Sequence, residues 1–131
     1  MAKMFPETSV KKTILLIDDE DLILSLLKRM LQDCGYQMLT ARSGSEALNV
    51  AETFAGEIDL ALLDMTLPEM TGYQILPLLK KRRPDLKVII CSGSEMDADF
   101  ECLKEAGAIG YMNKPFDLAT LRNEIAQHLG S

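Results

Sequence analysis

Leu60-Ala61-Leu62-Leu63-Asp64 runs directly into Met65-Thr66-Leu67-Pro68-Glu69-Met70-Thr71-Gly72. An apolar stretch ends in a single carboxylate, and a loop containing Pro68 and Gly72 takes over. No polar residue alternates within the stretch, so it reads as a strand buried on both faces, as in a parallel sheet covered by helices. Asp64 then stands at the mouth of the core, where the strand stops and the backbone turns away. A carboxylate fixed there can serve as a nucleophile, a metal ligand or a turn-former. The stretch alone leaves all three open.

The same pattern recurs upstream. Thr13-Ile14-Leu15-Leu16-Ile17 is apolar until it meets Asp18, and Asp18-Asp19-Glu20-Asp21 opens a helix. That helix carries Leu22, Ile23, Leu26, Leu27, Met30 and Leu31 at helical spacing, and Gly35 stops it. Gln37–Ala41 is a short second strand. Ser43 and Glu46 make an S-x-x-E capping box for a second helix, with Ala47, Leu48, Ala51 and Phe54 inward and Gly56 at its close. The third strand spans Ile58 to Asp64.

Downstream, a third helix is expected from about Gly72 to Arg82, with Ile75, Leu76 and Leu79 on one side. Pro77 should kink it or delay its regular part. Leu86 to Cys91 is the fourth strand, followed by Ser92-Gly93-Ser94 and a helix that buries Phe100 and Leu103. Gly107 ends that helix, Ala108 to Met112 is the fifth strand, and Lys114-Pro115 follows. Asp117 caps a last helix with Leu118, Leu121, Ile125 and Leu129 at core spacing. Strands alternating with helices through short connections specify a parallel sheet with helices on both faces.

Composition limits the function. The 131 residues suffice for one domain, and 47% hydrophobic with 26% charged is ordinary for a soluble globular chain. A net charge of −6 and a pI near 4.8 disfavour a nucleic-acid surface. The basic run Lys80-Lys81-Arg82-Arg83 reads as the solvated end of a helix, where cations suit the macrodipole. Three cysteines without CxxC spacing and one histidine, His128, argue against zinc and for a reduced, cytoplasmic setting. No apolar run reaches membrane-spanning length, and no membrane association is expected. Residues 1–11 read as a tail or linker, and residues 12–131 as the domain.

Every strand but the second delivers a polar group to the same end: Asp18-Asp19, Asp64, Ser92, and Asn113-Lys114. Each has an ordinary reading, as a helix cap, a turn residue or a solvated charge. Their coincidence at one end of four strands, where open α/β sheets bind ligands, favours a site.

In these residues the chain resembles a response-regulator receiver domain, the CheY-like phosphoacceptor of two-component signalling. The resemblance spans about Lys12 to Leu129 and rests on Ile17-Asp18-Asp19, Leu63-Asp64-Met65, Leu67-Pro68, Gly72, Cys91-Ser92-Gly93, Tyr111 and Lys114-Pro115-Phe116. It implies a single flavodoxin-like (βα)5 doubly wound domain with strand order 2-1-3-4-5. It implies that Asp64 is phosphorylated. Asp18, Asp19, Asp64 and the backbone carbonyl of Thr66 would hold Mg²⁺, a hard cation suited to crowded oxygens. Lys114 would contact the phosphoryl oxygens, with the Lys114-Pro115 bond cis. Ser92 and Tyr111 would act as the switch pair, remodelling the face of the fourth helix, fifth strand and fifth helix for a downstream target.

The implied donor is a histidine kinase or histidine phosphotransfer protein, the implied activity that of a phosphoacceptor rather than an enzyme. The chain could serve as a stand-alone regulator or as a receiver excised from a hybrid kinase. Ala108-Ile109-Gly110 replaces the acidic pair used by many dimerising relatives, so a monomer or weak dimer is expected. Nothing follows Leu129 but Gly130-Ser131, so no output domain for transcriptional control is expected. By the same resemblance, Thr66 and Ser94 hold the variable positions that would tune acyl-phosphate lifetime. An aspartate-nucleophile phosphatase needs a general acid two residues after Asp64, where Thr66 stands. A phosphorylation-independent interaction module would keep the fold and leave the chemistry unused. A nucleotide binder is disfavoured, because acid and not glycine follows the first strand.

Overall fold

The computed structural model describes residues 11–93 and 100–129. Residues 1–10, which make up most of the expected tail, and Ser94 lie outside the described residues. The element order is β1 (Thr13–Ile17), α1 (Asp21–Asp33), β2 (Gln37–Ala41), α2 (Gly44–Thr53), β3 (Leu60–Asp64), α3 (Gly72–Arg82), β4 (Lys87–Ser92), α4 (Phe100–Glu105), β5 (Ala108–Asn113) and α5 (Leu118–Leu129). The five strands form one parallel sheet in the order β2-β1-β3-β4-β5.

The apolar runs produce what their lack of alternation required. Every residue of β1 and of β3 is buried. Their odd and even side chains feed two cores. One gathers Leu15, Ile17, Ala61 and Leu63 with α2 and α3, including Ala47, Ala51, Ile75, Leu76 and Leu79. The other gathers Ile14, Leu16, Leu60 and Leu62 with Leu24 and Leu31 of α1 and Leu121 and Ile125 of α5. Two packed layers on one sheet hold its carboxyl ends in fixed register.

α1 departs from the expected stripe. Leu22 and Leu26 are 79% and 53% exposed, while Leu24 and Leu31 are buried. At 100° per residue, Leu22 and Leu26 lie about 160° around the helix from Leu24, on its solvent side. Leucines at i and i+4 satisfy the helical period on either face, so spacing did not choose between them. β3 begins at Leu60 rather than Ile58: the Thr13 N–H donates to the Asp59 carboxylate instead of to a backbone carbonyl of this stretch. α3 runs unbroken through Pro77 from Gly72, so the expected late start does not occur, and Pro77 faces solvent. Phe100 is half-buried rather than fully inside.

Gly35 and Gly107 follow α1 and α4 with φ of +99° and +118°, which suits glycine and ends each helix. Ser43 caps α2 as expected, its Oγ accepting from the Glu46 N–H at 3.1 Å. The Glu46 carboxylate accepts from the Arg42 N–H at 2.5 Å rather than from Ser43, so only the Ser43 half of the expected capping box forms. Ser43→Ala is expected to cost about 1 kcal/mol, read as a lower urea midpoint at unchanged slope.

Candidate functional site

Register builds the site. Ile17 pairs with Leu63, so the next residues, Asp18 and Asp64, leave the sheet side by side. Asp64 pairs with Cys91, and Ser92 follows. Ser92 pairs with Asn113, and Lys114 follows, its N–H donating to the Ser92 carbonyl at 2.7 Å. β1, β3, β4 and β5 thus each bring a polar residue to the same rim. Asp18, Asp64 and Ser92 are buried, whereas Asp19 is exposed.

Carboxylate oxygens of Asp18, Asp19 and Asp64 lie within 4.8 Å of one another. Lys114 Nζ reaches Asp18 Oδ2 at 2.7 Å and Asp64 Oδ2 at 3.4 Å. The other oxygens take backbone donors: Asp18 Oδ1 accepts from Glu20 at 3.0 Å, and Asp64 Oδ1 from Thr66 at 3.3 Å. The N-cap of α1 is Glu20, without a side-chain cap bond, so Asp19 is not spent on capping. The Lys114-Pro115 bond is cis, as expected.

Three carboxylates face one ammonium, and the electrostatics show the imbalance. Burial raises the Asp64 carboxyl above its ordinary value; Lys114 opposes this and Asp18 adds to it. Burial alone would lower the Lys114 ammonium, but its bond to Asp18 and the charges of Asp64 and Asp18 outweigh it, and the group is raised. Behind them the buried Cys91 thiol is pushed up to about 12 by burial, which keeps it inert. An all-oxygen donor set with surplus negative charge fits a hard divalent cation such as Mg²⁺.

Ser92 is buried at the rim. Tyr111 is half-buried on β5, with its ring edge-on to Phe100 of α4 at 5.7 Å and 62°. Sequence reasoning assigned Lys114 to an incoming phosphoryl group and did not foresee its shorter bond to Asp18. It also passed over Thr71 and Gln74, whose T-x-x-Q spacing is a legible capping signal. A cavity of about 670 Å³ lies at the opposite end of the sheet, between Lys12, Asp59, Arg83 and Lys87. It is an open cleft of mixed charge. The acid cluster lies at the other end.

A doubly wound sheet with clustered acids and a lysine at its carboxyl rim has the architecture of an open α/β domain, in which ligands bind at the carboxyl ends of the strands. The chain belongs to the response regulator receiver domain family, whose model matches residues 14–126. It is 37% identical over 123 residues to sensor kinase CckA of Brucella abortus (strain 2308), covering 94% of this chain and 13% of the kinase. It is 36% identical to the transcriptional regulatory protein PhoP of Bacillus subtilis (strain 168), covering 82% of this chain and 44% of PhoP. The chain thus spans less than half of either protein. With the response regulator DivK of Brucella ovis it shares 29% identity over 91% of this chain and 97% of DivK.

Among solved structures, a CheY-like receiver domain protein of Methanospirillum hungatei JF-1 superposes with TM-score 0.84 at 32% identity, covering 92% and 95% of the two chains. Response regulator TrrA of Thermotoga maritima, in complex with Mg²⁺ and BeF, superposes with TM-score 0.76 at 33% identity over 88% and 97%. The chain is therefore a receiver domain of two-component signalling, a phosphoacceptor class that is generally not enzymatic. Among the described residues no helix is long and apolar enough to cross a membrane.

Proposed function

We propose that Asp64 is the phosphoacceptor. A carboxylate oxygen of Asp64 attacks the phosphorus of a phosphohistidine on a histidine kinase or phosphotransfer protein. An O–P bond forms, the P–N bond breaks, and the imidazole leaves with a proton. Asp18, Asp19, Asp64 and the Thr66 carbonyl would hold Mg²⁺, which supplies charge neutralisation to the phosphoryl oxygens. Lys114, already between Asp18 and Asp64, offers the second positive contact. Any turnover is limited to self-phosphorylation from small donors and self-hydrolysis of the acyl phosphate.

Ser92 and Lys114 are drawn to the new charge, and Tyr111 responds to the movement of Ser92. Its contact with Phe100 ties that response to α4. The α4-β5-α5 face is thereby the surface offered to a downstream protein. The reading also places the domain in the cytoplasm, as a monomer or weak dimer, with residues 1–11 as linker or tail.

The observation that carries the proposal is the meeting of three carboxylates within 4.8 Å with Lys114 touching two of them, in a chain of the receiver family. Acetyl phosphate with Mg²⁺ is expected to add one phosphoryl mass to the chain, a gain lost in Asp64→Asn and in EDTA. An unmodified mass under those conditions would leave the fold as a phosphorylation-independent interaction module.

A further inference from the structure

Thr66 and Thr71 form an isolated antiparallel bridge across the loop that follows β3. Flanking residues close it, since the Gly72 N–H donates to the Met65 carbonyl at 3.1 Å. In such a bridge the facing pair is not hydrogen-bonded to itself, and its own N–H and C=O turn to the outer edge. Thr66 follows this rule, its N–H donating to Asp64 Oδ1 at 3.3 Å. An extended residue sends its N–H and C=O out by the same edge, so the Thr66 carbonyl is turned toward the carboxylates as well.

Two features hold this bridge. The first is a reciprocal cap on α3: the Thr71 N–H donates to Gln74 Oε1 at 2.9 Å, and the Gln74 N–H donates to Thr71 Oγ1 at 3.4 Å. Gln74 thereby satisfies the outward-turned Thr71 N–H and holds Thr71 in the extended conformation that the bridge needs. The second is the bare backbone of Gly72. A Cβ there would stand 3.3 Å from Met65 Cα and 2.5 Å from Met65 Sδ. The thioether can swing aside; the backbone contact requires Met65, whose carbonyl closes the bridge, to give by a few tenths of an ångström.

We infer that the Thr71–Gln74 cap and Gly72 are positioning residues, a brace from α3 that aims the Thr66 carbonyl at the Mg²⁺ site. This rests on the Mg²⁺-dependent reading of the acids. Thr71 and Gln74 are solvent-exposed, so the brace is open to substitution without disturbing the core.

Isothermal titration of the full chain with MgCl₂ tests the brace. Removing groups that orient a metal ligand weakens affinity by about tenfold or more, so Gln74→Ala and Gly72→Ala are each expected to raise the Mg²⁺ Kd by about tenfold. Gln74→Glu keeps an acceptor for the Thr71 N–H, and titration at elevated salt screens its added charge. It is expected to restore the parent Kd. Ser43→Ala removes a comparable cap from α2 and serves as the structural control, with Kd unchanged. Parent-like Kd values in both Gln74→Ala and Gly72→Ala would overturn the brace. Should Gly72→Ala fail to fold, a parent-like Gln74→Ala alone is sufficient to do so. A parent chain that binds no Mg²⁺ would instead overturn the metal reading beneath it.

Discussion

In EDTA, Asp64→Asn is expected to be more stable than the parent chain, and saturating Mg²⁺ is expected to reverse that order. Asp18, Asp19 and Asp64 crowd within 4.8 Å, and Lys114 keeps its 2.7 Å bond to Asp18 when Asp64 loses its charge. Asparagine removes a buried anion while retaining an oxygen for the Thr66 N–H. The gain should be about 1 kcal/mol, the scale of a typical single substitution. The pH dependence has a definite sign. Burial raises Asp64, so the folded chain keeps a proton that the unfolded chain has already released. Stability from this group is fully present below the unfolded carboxyl value and is lost as pH rises through the raised folded value. Asp64→Asn removes that decline. Mg²⁺ at a hundred times its Kd adds about 2.7 kcal/mol to a protein that binds it only when folded. The parent should gain that amount and the variant much less. Urea unfolding with EDTA or Mg²⁺, at pH values spanning the carboxyl range, measures both effects. A parent that exceeds the variant in EDTA would show that the acids are not in conflict without a cation.

The sheet was readable because β1 and β3 are buried along their whole length, and such strands cannot alternate polar with apolar. Asp18, Asp64, Ser92 and Lys114 were readable for a related reason. A polar residue that ends a buried strand has to leave at the rim, so strand ends alone collect the site. The faces of α1 were not readable, since Leu22 and Leu26 keep helical spacing on the solvent side. Contacts between distant segments were also hidden. Nothing in Lys114-Pro115-Phe116 says that the ammonium will prefer Asp18 to Asp64. The strand order came from the family resemblance, because alternating elements alone do not order a sheet. The basic run was read by composition as a uniform solvated end, and there the structure divides it. Lys80 donates to the carbonyls of Pro84 and Leu86 at 2.8 and 2.7 Å, while Arg83 reaches across to another helix.

Arg83→Ala is expected to be the most damaging change at the pole opposite the acids. Its Nε, Nη2 and Nη1 donate to the carbonyls of Ala51, Phe54 and Gly56 at 2.7, 2.6 and 2.7 Å. Those carbonyls belong to the end of α2 and the turn after it, where α2 carries no basic residue of its own. One guanidinium thus provides three charge-assisted bonds and the cation that the helix C-terminus favours. Each such bond contributes about 1.5–3 kcal/mol, but partial exposure and shared geometry keep the total below the sum, and a loss of about 3 kcal/mol is expected. Arg83→Lys should recover less than half, because an ammonium does not present a planar fork to three oxygens. Arg82 is the internal comparison. Its contact with the largely exposed Glu52, at 3.3 Å, should be worth under about 0.5 kcal/mol, so Arg82→Ala is expected to be nearly silent. Mg²⁺ affinity should not change in either variant, since both lie at the other end of the sheet. Urea midpoints for the three variants decide the matter: equal small losses for Arg82→Ala and Arg83→Ala would return the whole run to a solvated helix end.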